Sequence, residues 1–126
     1  MKIVRVNDHG IIYYGKLEED KVYRIEGDLF SDFVVTGASV ALEDVKVLAP
    51  IIPSKVVAIG KNYRAHIAEM AKAPAAAQEP EEPEVFLKPP SGIINPGEDI
   101  VYPDGAQRVD YEAEIAVIIG KKARYV

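Results

Sequence analysis

The sequence predicts an α+β fold that is mainly β: a small N-terminal meander, then a second domain with one short helix. Three observations predict it. The first fifty residues fall into short apolar runs separated by Gly, Asp and charged residues, the punctuation of antiparallel hairpins. Pro50 and Pro53 bracket Ile51-Ile52, a stiff connector that places a domain boundary between residues 1–53 and 54–126. Lys55-Val56-Val57-Ala58-Ile59-Gly60 is then apolar without alternation, the pattern of a strand buried on both faces, and it leads into an Ala-rich helical stretch.

Each element follows from local chemistry. Ile3, Val4 and Val6 form the first strand, and His9-Gly10 is a turn. Residues 11–17 are the second strand, with Tyr13, Tyr14 and Leu17 as packing residues. Residues 18–21 are a charged hairpin loop, and residues 22–25 are the third strand. Residues 28–41 mix signals and fit no single element. Residues 45–48 are strand-like and end at Pro50. In the second domain Gly60 ends the apolar strand, Asn62 is a suitable N-cap, and residues 64–72 read as a helix. Pro74, Pro80 and Pro83 forbid its continuation, so residues 73–83 are a loop, and long loops of this kind serve as lids or mobile segments. Val85-Phe86-Leu87 reads as a short buried strand, and Asn95-Pro96-Gly97-Glu98 has Pro and Gly where a type II turn requires them. Residues 100–102 and 109–119 read as further strands, the last stopping at Gly120.

Composition removes several functions. The chain has 126 residues, 15 Lys+Arg against 20 Asp+Glu, and a net charge of −5. That balance argues against a nucleic-acid partner, which needs clustered positive charge. Lys121, Lys122 and Arg124 are the only dense group. The longest apolar run, Ile115 to Ile119, is far short of the roughly 18 residues of a membrane span. With no signal-peptide pattern either, a cytoplasmic protein without a membrane partner is expected. The absence of Cys excludes disulfides, thiolate metal sites and thiol nucleophiles.

Two constellations point to chemistry. In Asp110-Tyr111-Glu112-Ala113-Glu114, strand geometry would place the three carboxylates on one face, about 6.6 Å apart from two rises of roughly 3.3 Å. Ionised carboxylates leading into an apolar run repel and resist desolvation. A shared proton, a cationic partner or a divalent metal relieves this, and an all-oxygen site suits Mg²⁺, Mn²⁺ or Ca²⁺ before Zn²⁺. The same residues also fit the wet face of an edge strand. His66 and Glu69, three apart on a helix, share a face, and a carboxylate holding an imidazole is the arrangement that activates water. The competing explanation is an incidental pair on an exposed helix. Lys88, on a stiff loop before Pro89-Pro90, is placed to meet an anionic substrate, with Tyr63 and Arg64 contributing at the helix start; each also fits a solvated side chain.

Together these segments resemble the fumarylacetoacetate hydrolase (FAH) family. Gly60-Lys61-Asn62-Tyr63-Arg64-Ala65-His66-Ile67-Ala68-Glu69-Met70 resembles its G-x-N-Y-x-x-H-x-x-E-M signature. Phe86-Leu87-Lys88-Pro89 matches its F-L-K-P element, and residues 110–121 are similar to its D-Y-E-x-E metal strand. The resemblance covers residues 54–126, and the preceding fifty residues are similar to the small N-terminal domain of bacterial members. It implies a mixed β-roll, incomplete in this chain, with a lid helix at about residues 62–72 and a metal strand at about residues 109–119. It also implies Mg²⁺ (or Mn²⁺/Ca²⁺) on Glu112 and Glu114, and a water-activating His66–Glu69 dyad. The substrates would be 2-oxo or diketo acids, cleaved hydrolytically at a C–C bond, isomerised or decarboxylated. The family's third metal ligand, an Asp, belongs to a later strand that would fall past Val126. The chain alone is therefore expected to bind Mg²⁺ poorly, to be inactive, and to associate as a homo-oligomer (a dimer) or with the missing catalytic half. A non-catalytic assembly subunit is the competing expectation.

Overall fold

The computed structural model describes residues 1–69 and 80–126. The described residues divide into two compact units, one of residues 1–51 with 94–126 and one of residues 52–93.

The first unit is built on five antiparallel strands: β1 (Lys2–Asp8), β2 (Ile11–Glu18), β3 (Lys21–Gly27), β4 (Phe33–Ala41) and β5 (Lys46–Leu48). Their spatial order is β4-β3-β2-β1-β5, the expected meander closed on one side by β5. The β1–β2 hairpin forms where the sequence places it. His9 and Gly10 both take left-handed backbone conformations (φ 48° and 95°), as a two-residue turn of matching twist requires. The Asn7 side chain secures the turn by accepting from the Gly10 N–H at 2.7 Å. Register pairs Val6 with Tyr13 on one side and Val47 on the other. Val6 and Val22 are fully buried and, with Ile25, Leu48 and Ala49, form the core of this unit. Removing such side chains from water is the main stabilising term.

Residues 33–41, indistinct in the sequence, form β4 along β3, with a bulge between Tyr23 and Ile25. Thr36 Oγ1 donates to the Arg24 carbonyl at 3.1 Å there. After the second unit, the chain re-enters at a type II turn. The Glu98 N–H donates to the Asn95 carbonyl at 3.1 Å, and Gly97 takes the required positive φ of 78°.

Glu98 is held by its own turn. Its carboxylate accepts from the Asn95 backbone N–H (2.9 Å), from Asn95 Nδ2 (2.8 Å) and from Lys46 Nζ (3.0 Å). The Asn95 hydrogen bonds, with help from the Lys46 ammonium, lower its pKa to about 2 from an ordinary 4.5. A depressed folded-state pKa contributes stability that is present above the unfolded value and lost as pH falls through the folded one. The stability gap between wild type and Glu98→Gln is therefore expected to be full at pH 5 and to shrink between about pH 4.5 and about pH 2. Urea unfolding midpoints of both forms across that range test this, and a gap independent of pH refutes it.

Residues 100–102 and 109–119 differ from expectation. Neither enters a β-ladder in this structure. The reason is physical: a strand exists only with a neighbour that takes its N–H and C=O groups, and among the described residues no segment lies in register beside either one.

The second unit is a two-stranded antiparallel ribbon, β6 (Val56–Gly60) with β7 (Glu84–Lys88), plus one helix, α1 (Arg64–Glu69). Ala58 and Ile67 are its buried apolar residues. The strands predicted as buried are not covered. Val57 is 54% exposed and Leu87 67%, because a two-stranded ribbon with one short helix has too little surface to cover both faces. The helix starts one residue later than the Asn62 cap implies. The Ile67 N–H donates to the Tyr63 carbonyl at 3.1 Å, which puts Tyr63 at the cap. β6 ends at Gly60, as expected, and Lys61, at φ 49°, makes the turn out of it. The predicted end of the lid helix at residues 70–72, and most of the loop at 73–83, lie outside the described residues.

Candidate functional site

The elements of the second unit place the His66–Glu69 constellation. β6 and β7 pair with Val56 opposite Lys88 and Gly60 opposite Glu84. At the Gly60 end, Lys61 Nζ forms an ion pair with Glu84 Oε1 at 3.0 Å, joining the turn before α1 to the start of β7. Sequence reasoning does not single out this pair. Its signal is visible only once the register sets Glu84 beside Gly60.

On α1, His66 Nδ1 and Glu69 Oε2 lie 3.6 Å apart, as the three-residue spacing predicts. Buried Ile67 anchors the helix, while His66 and Glu69 face outward, their side chains 47% and 77% exposed. The structure therefore brings this pair together within ion-pair range, a few tenths of an ångström beyond hydrogen-bond length. Tyr63 and Arg64 stand at the helix start, both exposed. Lys88 ends β7 with its Nζ 5.8 Å from the Phe86 ring centroid. That is the far end of the ribbon from the helix start, about 13 Å along four rises of roughly 3.3 Å. The ribbon does not itself bring Lys88 to Tyr63 and Arg64.

The carboxylate constellation belongs to the first unit. Glu112 and Glu114 are exposed, in a segment without regular structure. Asp110 is engaged locally, its carboxylate 2.8 Å from Arg108 Nε. Among the described residues, no three His, Asp or Glu side chains gather closely enough to hold a metal ion. The donor chemistry of Glu112 and Glu114 nonetheless fits a hard divalent cation: two carboxylates two residues apart, with no soft ligand near them in sequence.

A helix–strand unit carrying a His–Glu pair, followed by a Glu-x-Glu segment, defines a class. Residues 55–126 match the family described as fumarylacetoacetate (FAA) hydrolase C-terminal, and residues 1–50 match one described as Rv2993c-like, N-terminal. The chain belongs to the fumarylacetoacetate hydrolase family. Among its relatives, the uncharacterized protein PH0643 of Pyrococcus horikoshii is 51% identical over 74 residues, 59% of this chain and 30% of that protein. The mitochondrial oxaloacetate tautomerase FAHD2A of Bos taurus is 42% identical over 84 residues, 66% of this chain and 25% of that protein. Of solved structures, 5-carboxymethyl-2-hydroxymuconate delta-isomerase from Mycobacterium smegmatis superimposes with a TM-score of 0.59 at 36% identity, covering 75% of this chain and 35% of that one. The chain spans less than half the length of the curated relatives it matches. Among the described residues no helix is long and apolar enough to cross a membrane.

Proposed function

We propose that this chain forms part of a divalent-cation-dependent enzyme acting on 2-oxo or diketo acids. Glu112 and Glu114 are two of the cation's ligands, and His66 with Glu69 is the proton-handling pair. The observation that carries this is the 3.6 Å His66–Glu69 contact, inside the segment that matches the family. Mg²⁺ is the first choice, with Mn²⁺ or Ca²⁺ as the alternatives an all-oxygen site accepts. When bound, such a cation supplies the positive charge against which an enolate oxygen is stabilised.

The protein's own groups do the rest. Glu69 orients the His66 imidazole and stabilises its cation, so that His66 takes a proton and returns it. Tyr63 and Arg64, at the helix start, supply donors for one anionic group of the substrate, and Lys88, at the other end of the ribbon, supplies one for a second. Three reactions use this machinery. Hydrolytic C–C cleavage needs His66 to deprotonate a water. Isomerisation needs a proton removed at one position and returned at another; decarboxylation breaks a C–C bond to release CO₂ and then needs a proton delivered to the enolate left behind. One relative is named a tautomerase and one solved structure an isomerase, which supports isomerisation. Cleavage is kept as the other reading because the dyad has the form of a water-activating pair. A non-catalytic subunit would have no need of all four acidic and imidazole groups.

The assembly is proposed to be a homo-oligomer or a pairing with the remaining catalytic half, supported by the bare apolar ribbon of β6 and β7. Titration calorimetry of the whole protein with oxalate, an enolate mimic, tests the reading. Oxalate is expected to bind only with Mg²⁺ or Mn²⁺ present. No binding under either condition would favour the non-catalytic subunit.

A further inference from the structure

The segment that carries Glu112 and Glu114 enters no β-ladder, yet it is fastened to the five-stranded sheet at both ends. At its start, the Asn95 side chain works in two directions. Its Oδ1 accepts from the Ala49 N–H, just past β5, at 2.9 Å, and its Nδ2 donates to Glu98 Oε1 at 2.8 Å. Glu98 binds back to the Asn95 N–H and across to Lys46 on β5. Ala49 is buried, so without Asn95 its N–H would be left unsatisfied and costly. That bond, not the exposed Lys46–Glu98 ion pair, is the strong part of the clasp. At the other end, Gly120 lies against Phe30 in the loop between β3 and β4. A Cβ at Gly120 would come within 2.8 Å of the Phe30 ring.

We propose that the N-terminal sheet is a brace for the carboxylate motif. Asn95 and Glu98 at one end, and the Phe30–Gly120 contact at the other, fix the segment bearing Glu112 and Glu114. Asn95 and Glu98 are thereby positioning residues for that pair. What the pair binds rests on the function proposed above; the fastening does not. The physical logic is loop closure. A segment pinned once is a tethered coil that samples a large volume, whereas one pinned twice is a loop confined near its anchors. Contacts between residues 46 and 52 positions apart supply the first pin. A missing side chain at Gly120 permits the second.

The chain contains no Cys, so labelled cysteines can be introduced without background. Nitroxide labels at Ser39→Cys on β4 and Ala113→Cys between the two glutamates report the distance distribution by pulsed electron resonance. The wild-type background is expected to show a narrow component. Asn95→Ala should lose it, and so should Asn95→Asp, which sets two carboxylates against each other. Asn95→Asp combined with Glu98→Gln should restore it, because the amide and carboxylate exchange places and the bond to the Ala49 N–H is kept, while the exposed Lys46 side chain, which shared Oε1, turns away to solvent. Gly120→Val should lose it by displacing Phe30. Circular dichroism verifies that each variant keeps its sheet. An Asn95→Ala distribution as narrow as wild type overturns the proposal, as does failure of the exchanged pair to rescue a folded variant. Mg²⁺ titration of the same set separates the two readings. If no form binds the cation, the proposed function falls and the distance result still decides the fastening.

Discussion

Replacing Glu112 with Gln in the whole protein is expected to lower its affinity for Mg²⁺ or Mn²⁺ by more than about 100-fold, and to abolish turnover with it. Disturbing the outer partners of a metal ligand already costs about 10–100-fold in affinity, so loss of a direct ligand exceeds that. Gln preserves the volume and one oxygen but removes the charge that a hard cation requires. The fold should not respond. Glu112 is exposed, and exposed substitutions usually change stability by no more than about 0.5 kcal/mol. Calorimetric titration with a parallel unfolding curve checks both halves. Unchanged cation affinity in a fully folded Glu112→Gln variant would remove the metal from the proposed mechanism.

Replacing His66 should produce the complementary result. His66→Gln is expected to reduce turnover by about 10²- to 10⁴-fold, the range that a positioned acid–base group contributes, while leaving cation affinity unaltered. Glu69→Gln should fall between wild type and His66→Gln, since it removes the orienting charge at 3.6 Å but leaves the imidazole in place. A rate unaffected by His66→Gln would reassign proton transfer to another group.

How much of this is legible in the sequence depends on the range of the forces involved. Turns are local, and they read correctly. His9-Gly10 and Asn95-Pro96-Gly97-Glu98 announce their backbone angles in their own side chains. The pairing of His66 with Glu69 is equally local, one helical turn apart, and the spacing alone fixes it. β4 is illegible because Gly37, Ala38 and Ser39 break the apolar pattern; only the pairings to β3 on either side of the bulge, at residues 33–35 and 39–41, make one strand of it. At residues 109–119 the error runs the other way. The β-branched run has the propensity of a strand, but propensity without a partner forms no ladder. The Asn95–Ala49 contact cannot be read at all, since it joins positions 46 apart through a side chain that, in the sequence, belongs to a turn. The Glu-x-Glu motif is legible as a motif, and its surroundings are not.

The meander has a consequence for the order of events at the ribosome. Three of its four pairings, β1 with β2, β2 with β3 and β3 with β4, join strands adjacent in sequence, and only β5 must return to β1. Nearest-neighbour pairings close quickly, because little chain has to be gathered before contacts reward it. The N-terminal sheet is thus able to form while the helix and the acidic segment are still being synthesised, giving the later residues a finished template on which to arrive.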